Sequence, residues 1–311
     1  RLRKRRDRYQ TSPARAATLL TALASGVLPA LLASRAAPVA ALHEAGARSA
    51  GSIGFARISR VLVVAEIALS CALVVCVATL TRGIAALEHA DLGVDTDHLL
   101  TARLLLPKQT YPGATEQANL YEKLGARLRE ESGVADASVG TALPGTYYNE
   151  YRDILPAGEA VGDKAPPQTT YAAVDDHFPG AWGVALQEGR FFDAGDAADG
   201  ARVAVADRRF VERFAGGGPI LGRQFRLDPR DPNGATLTIV GVIAPVLLDA
   251  PGAEPAPVLL VPLRQAPFKV ASVAVRTRGP AAAFAPRLAA LMREVDADTP
   301  LYWVRDYAEV R

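Results

Sequence analysis

The sequence lacks the motifs of the common catalytic chemistries. It has no H-E-x-x-H, G-x-S-x-G or C-x-x-C pattern, and its four histidines do not cluster. In "GGGPILGRQ", Gly217 and Gly222 are spaced as in a phosphate-binding loop, but Arg223 stands where that loop needs lysine. We interpret this stretch as a connecting loop. The sequence therefore predicts no catalytic residue, no cofactor site and no metal site.

The sequence also has little cysteine and little net charge. Both cysteines, Cys71 and Cys76, lie inside one apolar run. The chain after that run contains no thiol, which permits an oxidising compartment without requiring one. The net charge is +2, so the whole protein has no strong electrostatic preference for a partner.

The exception is the N-terminal stretch "RLRKRRDR", in which six of the eight residues are basic. A nucleic-acid-binding arm is one interpretation of such a cluster. No aromatic interleaving and no nucleic-acid motif follows it, so we favour a basic membrane-flanking segment at residues 1–15. We expect no nucleic-acid partner.

A long apolar run, "VLVVAEIALSCALVVCVATLT", occupies residues 61–81. A helix of about 21 residues spans about 31 Å, which matches the hydrocarbon core of a bilayer. A buried core helix is the alternative, but such a helix normally carries a polar stripe at helical period, and this run does not. We therefore predict a transmembrane helix in contact with membrane lipid.

The one carboxylate in this run, Glu66, opposes that prediction. An acid at the centre of a span costs roughly 2.5–3.5 kcal/mol on insertion scales. Glu66 lies about two helical turns inside Arg60, so it can reach the interface or face neighbouring helices. We assign Glu66 to helix packing in the membrane, and a functional role in a multi-helix bundle is the alternative.

A weaker apolar segment, residues 16–34, is alanine-rich and contains Pro29. We predict a second transmembrane helix there, because membrane bundles tolerate proline and small residues where helices pack. Residues 35–60 carry four arginines and one glutamate, which predicts a cytoplasmic linker. The region after the second span is then outside, an orientation that the basic residues 1–15 do not fit.

After Arg82 the sequence has the character of a folded domain. "HLLTARLLLP", "TEQANLYEKLGARLREES" and "ADASVGTALP" predict a strand, an amphipathic helix and a second strand, with Tyr121, Leu124 and Leu128 on one helix face. "VASVAVRTRG", "AAAFAPRLAALMREVD" and "PLYWVRDYAEV" repeat this order. We predict that residues 97–145 and 268–311 together form a ferredoxin-like lobe with its helices on one face.

The middle of the domain, residues 146–267, is predicted to be a second, strand-rich lobe. Its candidate strands are "RVAVAD", "RQFRLD", "TLTIVGVIAP" and "VLLVPL". The predicted fold class is thus α+β, with transmembrane helices followed by a two-lobed domain at residues 83–311.

Two features of the middle region are candidate functional elements. Phe210 and Phe214 are four residues apart, which predicts a short helix packed on the lobe. We predict a partner-contact surface around Phe210, Phe214 and Arg223. The acidic pairs at residues 175–176 and 193–196 lack the pattern of a calcium loop, so we predict solvated turns there.

The order of segments resembles a known family. The apolar span is followed by "ALEHADLGVDTDHLLTARLLLP", an amphipathic helix, "GVADASVGTALPG", "HFPGAWGVALQEGRFFDAGD", "RVAVADRRFVERFAGGGPILGRQFRL" and "TIVGVIAPV". This order resembles the MacB-like periplasmic core domain of FtsX-like ABC transporter permeases. The stretches "LLTALASGVLPALLASRAAPVAALHEAGARSAG" and "ISRVLVVAEIALS" are similar to the junction between the halves of duplicated orphan permeases. The resemblance implies a fragment in which residues 16–34 end one permease half and residues 61–81 begin the next.

The resemblance implies a permease subunit in the bacterial inner membrane with a periplasmic main domain. Such a subunit is not an enzyme, and it couples a separate cytoplasmic ATPase to its periplasmic domain for export or mechanotransmission. The implied partners are that ATPase, membrane lipid, periplasmic proteins and a second permease half in a dimer or pseudo-dimer. The alternative is a membrane-anchored extracytoplasmic module that binds a ligand or acts as a sensor. The sequence does not specify a substrate.

Overall fold

The computed structural model describes residues 50–88, 91–146, 149–250, 252 and 254–309. The predicted basic segment at residues 1–15 and the predicted span at residues 16–34 lie outside these residues, as does most of the predicted linker. The chain divides into two compact units, Arg1–Ala78 and Thr79–Arg311.

The apolar run lies in helix α1, Ala50–Glu88. Between Arg60 and Gly83 this helix is long and apolar enough to cross a membrane, with a mean hydropathy of 2.7. Its large apolar side chains are exposed, at 63% for Leu62 and 58% for Leu73. A soluble core helix would bury such side chains, so the exposure favours a membrane span over the core-helix alternative. The helix begins within the residues predicted to be the linker.

The second unit is built from strands and short helices. In chain order its elements are β1 (Leu99–Leu105), α2 (Ala114–Arg129), β2 (Val134–Gly140), β3 (Glu150–Pro156), β4 (Gln168–Val174), α3 (Phe178–Trp182), β5 (Leu186–Gly189), β6 (Val203–Asp207), α4 (Arg208–Ala215), β7 (Gln224–Leu227), β8 (Thr236–Ile243), β9 (Val258–Pro262), β10 (Val270–Thr277), α5 (Ala281–Val295), β11 (Leu301–Asp306) and a 3-10 helix (Tyr307–Glu309).

Four strands form an antiparallel sheet in the order β11-β1-β10-β2. Because side chains alternate across a strand, Leu100, Ala102 and Leu104 point to the face that α2 and α5 cover. The helices bury an apolar stripe there, which includes Leu124 and Leu288. We call this part the four-stranded sheet. Helix α3 packs on part of its other face, against β2 and β10.

Six further strands close into a barrel. Strand β4 pairs with β3, and the pairing continues through β7, β8, β6 and β9 until β9 returns to β4. Strand β5 pairs with the end of β8. Since every barrel strand has two neighbours, closure satisfies the backbone groups that an open sheet would leave at its edges.

One core runs through both parts. Leu124 of α2 and Val273 of the four-stranded sheet belong to the same buried cluster as Phe225 and Leu259 of the barrel. A second cluster, around Trp182, lies on the other face of several of these strands. We therefore describe an α+β domain with a continuous apolar interior.

The strands and helices expected from the ten motifs quoted for the lobes are confirmed, including both strand-helix-strand units. Tyr121, Leu124 and Leu128 are buried on one face of α2, as the spacing predicted. Strands β3, β4 and β5 and helix α3 were not predicted.

Candidate functional site

Among the described residues, the strand pairing passes from the four-stranded sheet to the barrel at one narrow connection, between β2 and β4. Gly140 and Val174 pair across it as strand residues. Thr141 extends the connection: its backbone N–H donates to Ala173 O at 2.7 Å, and its hydroxyl accepts from Ala173 N at 2.9 Å. A Cβ at position 140 would lie 2.7 Å from Ala173 O, so glycine permits this close approach.

The carboxylate of Asp175, on the barrel side, accepts hydrogen bonds from β2 beside this connection. Asp175 accepts a hydrogen bond from Ser138 Oγ at 2.6 Å and one from the backbone N of Val139 at 2.9 Å. The guanidinium of Arg129 lies 3.7 Å from the same carboxylate. The prediction of a solvated turn is therefore wrong for Asp175, because the side chain is largely buried and ties the two parts together.

Burial sets the protonation behaviour of Asp175. It raises the pKa of this carboxyl to about 6, and the hydrogen bonds from Ser138 and Val139 and the charge of Arg129 oppose the rise. The carboxylate is ionised at neutral pH, but its proton affinity is well above that of an exposed aspartate.

A small pocket of about 90 Å³ adjoins the Asp175 carboxylate. Tyr121, Arg129, Asp176 and Arg264 contribute to its lining. The two charged residues of the barrel side face each other, with Arg264 Nη2 at 3.6 Å from Asp176 Oδ2. The space is large enough for a few waters, and three carboxylates and two arginines line it. The contacts at this junction hold the four-stranded sheet and the barrel together.

The second buried carboxylate, Asp207, organises helix α4. Its Oδ1 accepts from the backbone N of Phe210 at 2.9 Å, which caps the helix, and from Val258 N at 3.0 Å. Arg209 Nη1 lies 3.5 Å from the other oxygen. Burial raises the pKa of Asp207 to about 6.

The predicted contact surface is only partly at the surface. Phe210 is 0% exposed, so its assignment to an exposed contact surface is wrong. It packs with ring centroids 4.4 Å from Phe214 and 5.2 Å from Phe225. The prediction of a short helix at Phe210 and Phe214 is confirmed by α4, but Phe210 lies on the inner face of that helix. Phe214 is half-buried and Arg223 is exposed, so a contact at these two residues stays a prediction.

The remaining predicted residues are placed as follows. Glu66 lies in α1 among exposed apolar side chains, and its role in helix packing stays a prediction. Asp196 is 5% exposed and forms two hydrogen bonds of 2.8 Å with Arg190, which lower its pKa, so the solvated-turn prediction is wrong there too. In the described part of the chain, no three His, Cys, Asp or Glu side chains are grouped to hold a metal ion.

The chain is similar to known proteins in sequence and in structure. The MacB-like periplasmic core domain family matches residues 61–291, well over half of the chain. The periplasmic region of MacB from Actinobacillus actinomycetemcomitans is similar, with a TM-score of 0.47, 12% identity, and coverage of 72% of this chain and 95% of that chain. The extracellular domain of the noncanonic ABC-type transporter YknZ from Gram-positive bacteria has a TM-score of 0.42, 14% identity, and coverage of 66% and 100%. No curated protein is significantly similar to the chain.

The apolar helix and the α+β domain together indicate a membrane-anchored protein with an extracytoplasmic domain. The chain belongs to the MacB-like periplasmic core domain family, which confirms the resemblance seen in the sequence. The family associates the chain with ABC transporter permeases, which are not themselves enzymes.

Proposed function

We propose that the chain is a permease subunit, or part of one, of an ABC transporter in the bacterial inner membrane. A separate cytoplasmic ATPase would supply the energy, and the periplasmic domain would use it for export or mechanotransmission. The observation that carries this proposal is the family match over residues 61–291, because that range joins the apolar helix and the outer domain in one unit of sequence.

The proposed domain organisation keeps the boundaries read from the sequence. Residues 61–81 would span the membrane, and residues 83–311 would form the periplasmic domain. The strand order β11-β1-β10-β2, with α2 and α5 as the crossovers, supports a ferredoxin-like lobe. The closed barrel supports a second lobe at residues 146–267. A second permease half, in a dimer or pseudo-dimer, would supply helices to pack beside Glu66.

In this proposal, movement of the span would reach the domain along the chain. Helix α1 continues without a break to Glu88, beyond the apolar stretch that ends at Gly83. The segment that follows is anchored in the domain, because Leu92 is 3% exposed and its carbonyl accepts from Leu247 N at 2.9 Å. This anchor is the point in the domain at which such movement would be received.

The first test is membrane topology. We would introduce Ala47→Cys and Ala198→Cys singly and label intact cells with a membrane-impermeant thiol reagent, with Cys71 and Cys76 as internal controls within the bilayer. Ala198 lies at an exposed position of the domain. We expect labelling at position 198 and none at position 47. Protection of both positions in cells, with reactivity of both after lysis, would contradict the proposal.

The second test separates a permease from an anchored binding module. The tagged chain would be purified from its native membranes in mild detergent, and vanadate-sensitive ATP hydrolysis would be measured across the eluted peak. We expect ATP hydrolysis to elute with the chain, and to be absent when the chain is expressed alone in a foreign host. Elution of the native chain without any ATPase would favour the anchored module.

A further inference from the structure

The segment that follows α1 in the chain, residues 91–98, lies against both parts of the domain. We call it the entry segment. On the sheet side, the backbone N–H of Asp95 donates to the Trp182 carbonyl of α3 at 2.8 Å. On the barrel side, Leu92 is 3% exposed, and its carbonyl accepts from the backbone N–H of Leu247, after β8, at 2.9 Å. The entry segment therefore bridges the four-stranded sheet and the barrel.

A guanidinium from the sheet fixes one side of the entry segment. Arg276, in β10, donates through Nη1 to Asp95 Oδ2 at 2.9 Å and through Nη2 to Asp95 O at 2.8 Å. Its Nε donates to Ala181 O at 3.0 Å. Three donors of one planar group thus hold Asp95 beside α3. Local opening of the entry segment is therefore expected at its barrel side, around Leu92.

The C-terminal 3-10 helix packs close to the same point. Tyr307 is 3% exposed, and its ring meets that of Trp182 edge to face at a centroid distance of 5.4 Å. The Tyr307 hydroxyl donates to the carbonyl of Pro144. Leu92, Trp182 and Tyr307 belong to one buried cluster. The segment after α1 and the last described turn of the domain therefore share one packing site.

Gly145 contacts both of these segments and the barrel. Its φ is +71°, in the left-handed region that glycine adopts without steric cost. A Cβ at position 145 would lie 3.1 Å from Leu92 Cδ1 and 3.5 Å from the Tyr307 hydroxyl. The backbone N–H of Gly145 donates to Leu247 O at 3.0 Å. We call Leu92, Gly145, Leu247 and Tyr307 the shared anchor.

The residues around Leu247 attach the shared anchor to the barrel. The Asp249 carboxylate is 4% exposed and accepts from the Tyr151 hydroxyl at 2.5 Å and from Thr170 Oγ1 at 3.3 Å. These bonds offset the cost of burying the carboxylate. Tyr151 lies in β3 and Thr170 lies in β4. Residues 246–249 therefore connect the shared anchor to two neighbouring strands of the barrel.

We propose that the shared anchor opens and closes as one unit, so that release of either the entry segment or the C-terminal 3-10 helix also loosens residues 246–249 on the barrel. Its other three residues all contact Gly145, and loss of one close-packed contact leaves a void beside the others. The fold thereby contains a device that passes a change at the segment after α1 to the barrel. Its use in transport rests on the proposed function, whereas the coupling itself requires no ATPase.

The test is amide hydrogen exchange in the full chain, in nanodiscs of phosphatidylcholine, read by mass spectrometry with electron-transfer fragmentation. The first variant is Tyr307→Phe, which removes the hydroxyl bond to Pro144 and keeps the ring. The reporters are the amides of Leu247 and Thr146, which bond to Leu92 O and Leu248 O and not to Tyr307. We expect both amides to exchange about fivefold faster and by the same factor, because one opening exposes both.

Leu92→Ala tests the coupling in the opposite direction. It removes side-chain packing beside Gly145 and keeps the backbone carbonyl that bonds to Leu247. The same two amides, of Leu247 and Thr146, should again quicken by one common factor of about tenfold or more, since a buried leucine contributes more than one hydrogen bond.

Gly145→Ala opens the shared anchor directly, because its Cβ would press on Leu92. Gly217→Ala is the matched control: its φ is +80° and its Cβ meets nothing within 4 Å, so it carries similar backbone strain outside the anchor. Gly217→Ala should leave the amides of Leu247 and Thr146 at the parent rates. The amides of β10 report opening of the sheet and should keep their rates in Tyr307→Phe.

Unequal factors at the two reporter amides, or a change confined to the bond beside each substitution, would show separate contacts and overturn the proposal. Because Tyr307→Phe is a conservative change, this comparison remains possible even if Leu92→Ala or Gly145→Ala fails to fold. That negative result would leave the proposed permease function standing. Elution of the chain without an ATPase would, conversely, contradict that function and leave the coupling intact.

Discussion

The four-stranded sheet and the barrel bury their apolar residues in different ways. Helices α2 and α5 cover one face of the four-stranded sheet, and part of its other face is exposed at Leu105 and Val270. The barrel closes on itself, so each of its six strands has a neighbour on both sides. The closed part can be rigid without outside help, whereas the layered part retains a surface that is available to other molecules.

Phe210→Ala should have the largest effect on stability, and it tests the packing of the barrel. The side chain is fully buried and contacts Phe214 and Phe225, so truncation should lower the free energy of unfolding by about 3–5 kcal/mol. Denaturant titration with Trp182 fluorescence would measure it. Phe214→Ala is the control, and its half-buried ring should cost less.

The same titration tests whether sheet and barrel unfold together. Their apolar residues belong to one buried cluster, so Leu288→Ala on the sheet side should shift the same single transition as Phe210→Ala. Two separate transitions, each sensitive to only one of the variants, would show that the parts are independent folding units.

Asp207→Ala should have the next largest effect, about 2–3 kcal/mol. The change removes the cap of α4 and leaves the buried N–H groups of Phe210 and Val258 without their acceptor. Asp207→Asn is the matched control, because its amide oxygen can accept both bonds. If alanine and asparagine destabilise the protein equally, the hydrogen bonds do not explain the loss.

The sequence predicted the individual strands and helices better than it predicted that six of the strands close into a barrel. Apolar residues at spacings of 3 and 4 identified α2 through Tyr121 and Leu124, and alternation identified β1. The barrel depends on pairings such as Tyr171 with Leu259, which are distant in sequence and leave no local signal. Strand β3, "EYRDILP", was missed because charged residues interrupt its apolar alternation.

The candidate site was predicted least well. Spacing showed that Phe210 and Phe214 share a helix face, but only the fold decides that this face meets Phe225. The pair Asp175 and Asp176 looked like a solvated turn, since acidic residues between elements are usually exposed. Its position directly after the apolar end of β4 was the available signal, because residues at strand ends can bond to a neighbouring strand.

Gly140→Ala tests the connection between the two parts and should cost about 1–2 kcal/mol. A Cβ would lie 2.7 Å from Ala173 O and 3.0 Å from Val174 Cα, so β2 and β4 must separate slightly. Amide hydrogen exchange should quicken at residues 139–141 and 173–175. Gly162→Ala, which meets nothing within 4 Å, is the control and should leave exchange at the connection unchanged.

Asp175→Asn should have the smallest effect on stability, and it tests the same connection between the four-stranded sheet and the barrel. The folded pKa of about 6 lies above that of an exposed aspartate, so the folded state takes up this proton first as the pH falls. The contribution of Asp175 to stability is therefore greatest below about pH 4 and declines as the pH rises through 6. Between pH 7 and pH 5 the parent should gain about 1 kcal/mol relative to Asp175→Asn.

Asp207, whose pKa is also about 6, supplies the internal reference for this measurement. The Asp175→Asn variant should keep the part of the pH dependence that Asp207 contributes, and Asp175→Asn combined with Asp207→Asn should lose both parts. After correction for the intrinsic pH dependence of amide exchange, the protection of residues 138–140 should change between pH 7 and pH 5 only while Asp175 is present, because this carboxylate bonds directly to β2. An identical pH profile for the parent and Asp175→Asn would mean that the carboxylate is hydrated, and that the barrel holds the sheet through Thr141 and Gly140 instead.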